Sequence, residues 1–277
     1  MKVAAIQMVS CLQVDTNLRC AEALIQQAAS RGAELVTLPE YFCLLGQRDT
    51  DKLAVQESAG TGPIQQFLAD TAKRYGVWLV GGTMPMSTGQ AGKVRNSCLV
   101  FNPQGALVVR YDKIHLFAFN NGTERYDESR VLEPGDTPVC FSLPSLDGHT
   151  WRVGLSVCYD LRFAALYQAL QAEVLLVPSA FTYTTGQAHW EVLLRARAIE
   201  NLAYFIAPAQ GGVHANGRRT WGHSMVVDAW GQVLAQRAEG EGVVMAEMSM
   251  PDLLKQRTQL PALAHRKPLQ QVAHAVQ

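Results

Sequence analysis

Residues 153–163 read Val153-Gly154-Leu155-Ser156-Val157-Cys158-Tyr159-Asp160-Leu161-Arg162-Phe163. The first half is an apolar run typical of a buried strand, and the second half favours the start of a helix. The sequence therefore predicts a cysteine, Cys158, at the carboxyl end of a strand and close to a helix N-terminus. The positive partial charge of such an N-terminus favours the thiolate and lowers a cysteine pKa. Cys158 is a candidate nucleophile, although the commoner role, a buried structural cysteine, stays open.

Short apolar strands alternate with amphipathic helical stretches on both sides of this segment, which predicts an α/β fold with mixed sheets covered by helices. The pattern predicts strands at 2–7, 34–38, 77–81, 151–157, 174–177, 203–207, 224–227, 232–236 and 242–247, and a hairpin at 95–101 and 106–111. It predicts helices at 17–31, capped by Asp15 or Thr16, and at 62–75, 163–171 and 187–201. We expect one domain over residues 1–258. The polar stretch 259–277 is either a tail over the surface or an arm that reaches a partner subunit.

The composition excludes several classes of protein. The chain has 277 residues, 48% of them hydrophobic and 17% charged, and Lys plus Arg equal Asp plus Glu at 24 each. This balance gives no overall field for nucleic acid or an anionic membrane. No run approaches the ~20 apolar residues that span a bilayer, and the N-terminus lacks a signal-peptide pattern. The six cysteines are dispersed, so we expect free thiols in the cytoplasm and no metal site.

Two other residues have settings that suit catalysis. Lys113 follows a strand and is surrounded by apolar and aromatic residues, although a surface lysine is the ordinary alternative. Beside a catalytic cysteine it would stabilise the thiolate and then an oxyanion. Glu40 follows strand 34–38 between Pro39 and Tyr41, which could desolvate its carboxylate and raise its pKa toward that of a general base. Its alternative is a turn glutamate that faces solvent.

Three segments together resemble the signature blocks of the nitrilase (carbon–nitrogen hydrolase) superfamily, in the family's order. They are Leu38-Pro39-Glu40, Tyr111-Asp112-Lys113-Ile114-His115-Leu116-Phe117 and Val157-Cys158-Tyr159-Asp160-Leu161-Arg162-Phe163. The resemblance continues through Asn96-Ser97, Pro178-Ser179-Ala180-Phe181, Arg195–Asn201 and Trp221–Asp228. It covers roughly residues 1 to 258, and the whole set is far more specific than any one block.

The resemblance implies a four-layer α-β-β-α sandwich and a catalytic triad of Glu40, Lys113 and Cys158. It also implies a second glutamate, Glu128, that positions substrate and keeps the lysine charged. The backbone N–H of Tyr159 would be an oxyanion donor. Members of the family commonly pair, so a homodimer or larger homo-oligomer is expected, without a cofactor.

Within the superfamily the chain resembles the Nit amidases, a branch that includes ω-amidases and deaminated-glutathione amidases. Arg162 would then hold a substrate carboxylate, because a guanidinium binds carboxylates in bidentate fashion; its alternative is a structural salt bridge. Phe181 and Thr182 are predicted to line the pocket. The loop 118–128 is hypothesised to be a lid that selects the substrate.

The predicted function is a thiol-dependent amidase for a small carboxylate-bearing amide, giving the acid and ammonia through a cysteine thioester. Deaminated glutathione or an ω-amide of an α-keto acid is the expected substrate. An N-carbamoyl amino acid hydrolase or a nitrilase would use the same triad. A papain-like enzyme with His115 or His223 as base would leave the lysine block unexplained. A non-enzymatic binding protein would leave the intact triad unexplained.

Overall fold

The computed structural model describes residues 1–267. The helices are α1 Val14–Ser30, α2 Pro63–Tyr75, α3 Ala164–Leu170, α4 Tyr183–Asn201 and α5 Met250–Gln259. The strands are β1 Lys2–Gln7, β2 Leu35–Thr37, β3 Trp78–Val80, β4 Met84–Ser87, β5 Val94–Phe101, β6 Leu107–Asp112, β7 Ala118–Asn120, β8 Arg125–Asp127, β9 Val139–Pro144, β10 Thr150–Leu155, β11 Val174–Leu176, β12 Tyr204–Ala207, β13 Gly211–Val213, β14 Arg219–Trp221, β15 Ser224–Val227, β16 Val233–Arg237 and β17 Gly242–Glu247.

Most of the strands form two mixed sheets. The seven-stranded sheet has the order β17-β1-β2-β3-β5-β4, with β6 also paired to β5, and the six-stranded sheet has the order β16-β15-β12-β11-β10-β9. Strand β1 pairs in parallel with β2 and antiparallel with β17, in the register Lys2↔Glu247 to Gln7↔Gly242. The pairs β7–β8 and β13–β14 form two small separate ribbons.

Alternation along the strands explains why the two sheets stack. In β1, Val3 and Ala5 belong to the core shared with the six-stranded sheet, whereas Ala4 and Ile6 belong to the core beneath α1 and α2. Successive side chains of a strand point to opposite faces, so one apolar strand serves two interfaces. Helices α3 and α4 cover the other sheet with residues such as Tyr167 and Trp190. The predicted four-layer α-β-β-α sandwich is confirmed.

Several predicted element boundaries are wrong. Helix α1 begins at Val14 after an N-cap at Gln13, before the Asp15 and Thr16 expected to cap it. Helix α4 begins at Tyr183 because the Thr182 side chain caps it, four residues earlier than predicted. Helix α5 was not predicted; it starts with Ser249 as its cap and runs across the predicted boundary at 258. Residues 268–277 of the predicted tail lie outside the described residues.

No helix within residues 1–267 is both long enough and apolar enough to span a bilayer.

Candidate active site

Cys158 lies just beyond the carboxyl end of β10, as predicted, but in a different local structure. It begins a short 3₁₀ turn, Cys158–Arg162, and α3 starts only at Ala164, so the thiol does not lie at the N-terminus of the α-helix that follows it in the sequence. Its φ is +48°, in the left-handed region that non-glycine residues rarely adopt. The Cys158 backbone N–H donates to the Pro178 carbonyl oxygen at 3.0 Å, which fixes this conformation against the strand end of β11. Strain of this kind is held by the surrounding structure and concentrates at functional sites.

Asp160 holds the turn at Cys158 in place through buried hydrogen bonds. Its fully buried carboxylate accepts hydrogen bonds from the Val157 backbone N–H at 2.8 Å and the Tyr111 hydroxyl at 2.7 Å. It also contacts His115, accepting from the backbone N–H at 3.0 Å and lying 2.7 Å from Nδ1. These contacts tie the turn to the segment that carries Lys113, so the two catalytic candidates are held by one carboxylate.

Glu40 is buried in a tight turn after β2, with an exposed fraction of 1%. Its Oε1 accepts from Asn96 Nδ2 and from Lys113 Nζ, each at 2.9 Å, and its Oε2 accepts from the Ala180 backbone N–H at 2.9 Å. The turn also depends on Gly82, where a Cβ atom would lie 2.1 Å from the Pro39 carbonyl oxygen. A side chain at 82 would therefore displace the backbone that carries the carboxylate.

Lys113 bridges the buried Glu40 and the partly buried Glu128. Its Nζ lies 2.9 Å from Glu40 Oε1, and 3.0 and 2.8 Å from the two carboxylate oxygens of Glu128. Glu128 is fixed in turn by the Tyr41 hydroxyl at 2.8 Å and the Phe117 backbone N–H at 2.7 Å. Lys113 is 1% exposed, and burying an ammonium is tolerated only with such complete pairing.

Burial and charge together set the protonation states of this group. Burial, reinforced by Glu128, raises the pKa of Glu40 above its ordinary 4.5 despite Lys113. Burial alone would raise the pKa of Glu128, but the charge of Lys113 outweighs it and lowers this pKa. Burial alone would lower the pKa of Lys113, but Glu128 and Glu40 hold it well above 10.5, so the lysine stays charged.

The expected low pKa of Cys158 is not found. Burial and the Glu40 carboxylate raise the pKa of the thiol well above 9.0, and the charge of Lys113 opposes them only in part. The prediction of a lowered pKa was wrong because it considered only the local turn and neither the burial of the thiol nor the Glu40 carboxylate. At neutral pH the resting group is a neutral thiol, which has to lose its proton to a base as it attacks.

Cys158 lies at the junction of two lobes of one cleft. The large lobe is lined by Glu40, Tyr41, Leu45, Asp49, Lys52, Tyr126, Asp127, Glu128, Arg218, Arg219 and Thr220. The small lobe is lined by Tyr159, Arg162, Phe181 and Thr185. Phe117, Cys158, Ala180 and Thr182 line both lobes. In the described part of the chain no histidine lines either lobe, which argues against a cysteine–histidine pair.

The predicted binding residues lie in the small lobe, with Thr182 at the junction. The Arg162 guanidinium is 3.3 Å from His189 Nδ1 and packs over the rings of Tyr159 and Phe181. It forms no ion pair with any residue between 1 and 267, so the structural salt bridge considered for it is not observed. The Tyr159 backbone N–H has no hydrogen-bond acceptor among the described residues.

Four residues that hold the site were not assigned roles from the sequence: Tyr41, Asn96, Asp160 and Ala180. Each acts through a partner more than 40 positions away in the sequence. Asn96, Asp160 and Ala180 stood in quoted motifs, but nothing local in the sequence indicates what they bind.

Within residues 1–267 no group of three or more His, Cys, Asp or Glu side chains is arranged to hold a metal ion.

Comparison with known proteins gives a consistent result. The family model described as "Carbon-nitrogen hydrolase" matches residues 2–257. A "Deaminated glutathione amidase" of Synechocystis sp. is 44% identical over 270 residues, covering 95% of this chain and 97% of that protein. An "Omega-amidase NIT2" of Danio rerio is 37% identical over 271 residues, covering 96% of this chain and 94% of that protein. The crystal structure of the C. elegans NitFhit protein superposes with a TM-score of 0.84 at 33% identity, covering 96% of this chain and 65% of that one.

Proposed function

Because this chain belongs to the carbon–nitrogen hydrolase family of the nitrilase superfamily, and because its relatives in that family are amidases acting on non-peptide carbon–nitrogen bonds, we propose that it is a thiol-dependent amidase with Cys158 as nucleophile. The observation that carries the proposal is the buried Lys113 ammonium, bound at 2.9 Å to Glu40 and at 2.8 Å to Glu128. The two glutamates that bind this ammonium line the same cleft as the thiol of Cys158, which lies on a strained turn. Such an arrangement supplies a base, an oxyanion partner and a nucleophile together.

The proposed cycle moves one proton through Glu40. As Cys158 Sγ bonds to the amide carbon, Glu40 accepts the thiol proton, and Lys113 and the Tyr159 N–H stabilise the oxyanion. Glu40 then protonates the leaving nitrogen, the carbon–nitrogen bond breaks and a thioester remains. Water attacks the thioester while Glu40 accepts its proton, and the thiolate recovers that proton as it leaves. The raised pKa of Glu40 suits a group that both accepts and donates.

The proposed substrate is a small amide that bears a carboxylate, with Arg162 as its clamp in the small lobe. The relatives named deaminated glutathione amidase and omega-amidase suggest two forms of it. In deaminated glutathione, and in 2-oxoglutaramate as one ω-amide of an α-keto acid, the acyl part is a 2-oxoglutaryl group. Ammonia leaves only from the primary ω-amide, whereas the leaving amine of deaminated glutathione is cysteinylglycine. The predicted release of ammonia therefore applies to the primary ω-amide and not to deaminated glutathione. The amidase names of the relatives do not favour the N-carbamoyl hydrolase or nitrilase alternatives.

The direct test is the rate of 2-oxoglutarate release, the product shared by deaminated glutathione and 2-oxoglutaramate. An N-carbamoyl amino acid and a simple nitrile are assayed beside them by release of their own products. We expect turnover of at least one amide, and little of the carbamoyl compound or the nitrile. Turnover confined to the carbamoyl compound or the nitrile would reject the amidase assignment, and turnover of none would favour a binding protein.

We expect kcat/KM to rise with pH along one acidic limb whose midpoint lies above 4.5, because ionised Glu40 is the base and its pKa is raised from that value. Below that midpoint Glu40 is protonated and cannot accept the thiol proton. The thiol adds no second limb near neutral pH, since its pKa is far higher. A profile measured from pH 4 to 9 checks this. A midpoint at or below 4.5, or a rise that follows thiol ionisation near pH 9, would contradict the assignment of the base.

A cytoplasmic location and assembly into homodimers or larger homo-oligomers complete the proposal. The dispersed free cysteines support the location, and the family resemblance supports the assembly. Size-exclusion chromatography with light scattering measures the assembly.

A further inference from the structure

The two lobes of the cleft give the two halves of an amide different surroundings. Glu40, which protonates the leaving nitrogen in the proposed cycle, lines the large lobe and not the small one. A general acid has to lie within hydrogen-bond reach of the atom that it protonates. The leaving amine therefore extends into the large lobe, and the acyl part lies toward Tyr159 and Arg162.

Lys52 is the cation of the large lobe that has no ionic partner. Lys52 is a half-buried residue whose ammonium lies 4.6 Å from the centroid of the Tyr41 ring and forms no ion pair within residues 1–267. The other cations there are partnered: Arg218 binds Asp49 at 2.8 Å, and Arg219 binds Glu239 at 2.9 Å.

The remaining charges around Lys52 do not neutralise it by contact. Glu128 and Asp49 act on it only through space, and Glu128 already binds the Lys113 ammonium at 2.8 Å. Asp127 directs its carboxylate to the Ser129 backbone N–H and hydroxyl. Burial, together with the charges of Arg218 and Lys113, lowers the pKa of Lys52 against those two carboxylates. A bound anion would pair with the Lys52 ammonium and so offset the cost of its desolvation and of its repulsion by the neighbouring cations.

We infer that Lys52, with Arg218 beside it, forms a second anion subsite that binds a carboxylate carried by the leaving amine. The inference rests on the proposed function and specifies its substrate class. The preferred substrate is an amide with a carboxylate on each side of the scissile bond, so its leaving group is an amino acid or short peptide. Arg162 holds the acyl carboxylate, and Lys52 holds the carboxyl terminus of the leaving group.

Two substrates with the same acyl group separate this role from catalysis. The leaving amine of deaminated glutathione is cysteinylglycine, which ends in a carboxylate. The leaving amine of 2-oxoglutaramate is ammonia, which carries no carboxylate to bind Lys52. We expect Lys52→Gln to lower kcat/KM for deaminated glutathione about tenfold more than for 2-oxoglutaramate, mainly through KM, as for loss of one charged hydrogen bond. Lys52→Arg should restore most of the ratio. Lys255→Gln, which removes an exposed charge on α5, is the matched control.

A modified substrate tests the same contact without any mutation. Deaminated glutathione amidated at its glycine carboxyl should lose about tenfold in kcat/KM with the unaltered enzyme. It should lose little further with Lys52→Gln, since each change removes the same ion pair.

The outcomes distinguish the inference from the proposed function. If Lys52→Gln slows both substrates equally, Lys52 acts through Glu128 and the subsite is rejected, while the amidase function stands. If the amidated substrate reacts as fast as the acid, the subsite is likewise rejected. If neither 2-oxoglutaryl amide is hydrolysed by the unaltered protein, the proposed function and the subsite fail together.

Discussion

Replacing Lys113 by methionine is expected to lower kcat/KM by about 10³-fold or more and to destabilise the fold by about 3–5 kcal/mol. Lys113 is buried and is the cation that separates Glu40 from Glu128. Without it, the carboxylates of Glu40 and Glu128 lose their shared partner and the oxyanion loses its cationic partner. Glu40 would also be shifted to its protonated form, which cannot act as the base.

The pH dependence of this loss has a definite sign. In the variant both carboxyl groups have pKa values raised above their unfolded values, so the folded protein binds protons more tightly than the unfolded one. The free energy of unfolding should therefore fall as pH rises through those raised values and partly recover in acid. Urea unfolding at pH 5 and pH 8 measures it, with the exposed Lys255→Met as control. Equal stability of Lys113→Met and the unaltered protein at pH 8 would show that the lysine is not the buried counter-ion.

Replacing Cys158 by alanine is expected to reduce amide hydrolysis by about 10⁴-fold or more, because no other cysteine of residues 1–267 lines the cleft to form the thioester. The fold should survive, since alanine keeps the Cβ atom and the backbone contacts of the turn. Urea unfolding checks the fold, and 2-oxoglutarate release checks the rate. In the unaltered protein, the acyl-enzyme formed with a slow substrate can be trapped in acid. A mass increase on Cys158 would then identify the thioester directly.

Cys20→Ala is the matched control for that experiment. Cys20 lies on α1, where burial and Glu241 raise the pKa of its thiol to about 12, and it does not line the cleft. The Cys20→Ala variant should retain full activity. In the unaltered protein, iodoacetamide should label Cys20 more slowly than Cys158, which has Glu40 beside it as a base. Retention of more than a few per cent of activity by Cys158→Ala would reject the nucleophile assignment.

Periodicity in the sequence predicted mixed sheets covered by helices, and the family resemblance implied their stacking in four layers. The strand 2–7 and the strands 224–227 and 242–247 have the predicted bounds, and the hairpin after residue 94 pairs as expected. Helix ends were less predictable, since capping at Gln13 and Thr182 depends on geometry that a residue preference does not specify. Helix α5 was missed because its composition is mostly polar.

The candidate site could be predicted only as a set of positions. Family motifs pointed to Glu40, Lys113 and Cys158, and the three residues do lie together, although their catalytic roles remain to be tested. The pKa of the thiol could not be read from its neighbours in sequence, because burial and Glu40 act on it across the fold. The same holds for Asp160, whose partner Tyr111 lies 49 positions away.

The antiparallel pairing of β1 with β17 has a consequence for how the protein is made. The edge of β1 that binds β17 has no partner until residues 242–247 have been synthesised. The Met1 ammonium likewise waits for the Met248 carbonyl oxygen, which it reaches at 2.8 Å. An unpaired apolar strand edge is a template for aggregation, and contacts so distant in sequence close slowly. The nascent chain therefore exposes this strand edge until residues 242–247 have been synthesised, and such an exposed edge is prone to aggregation.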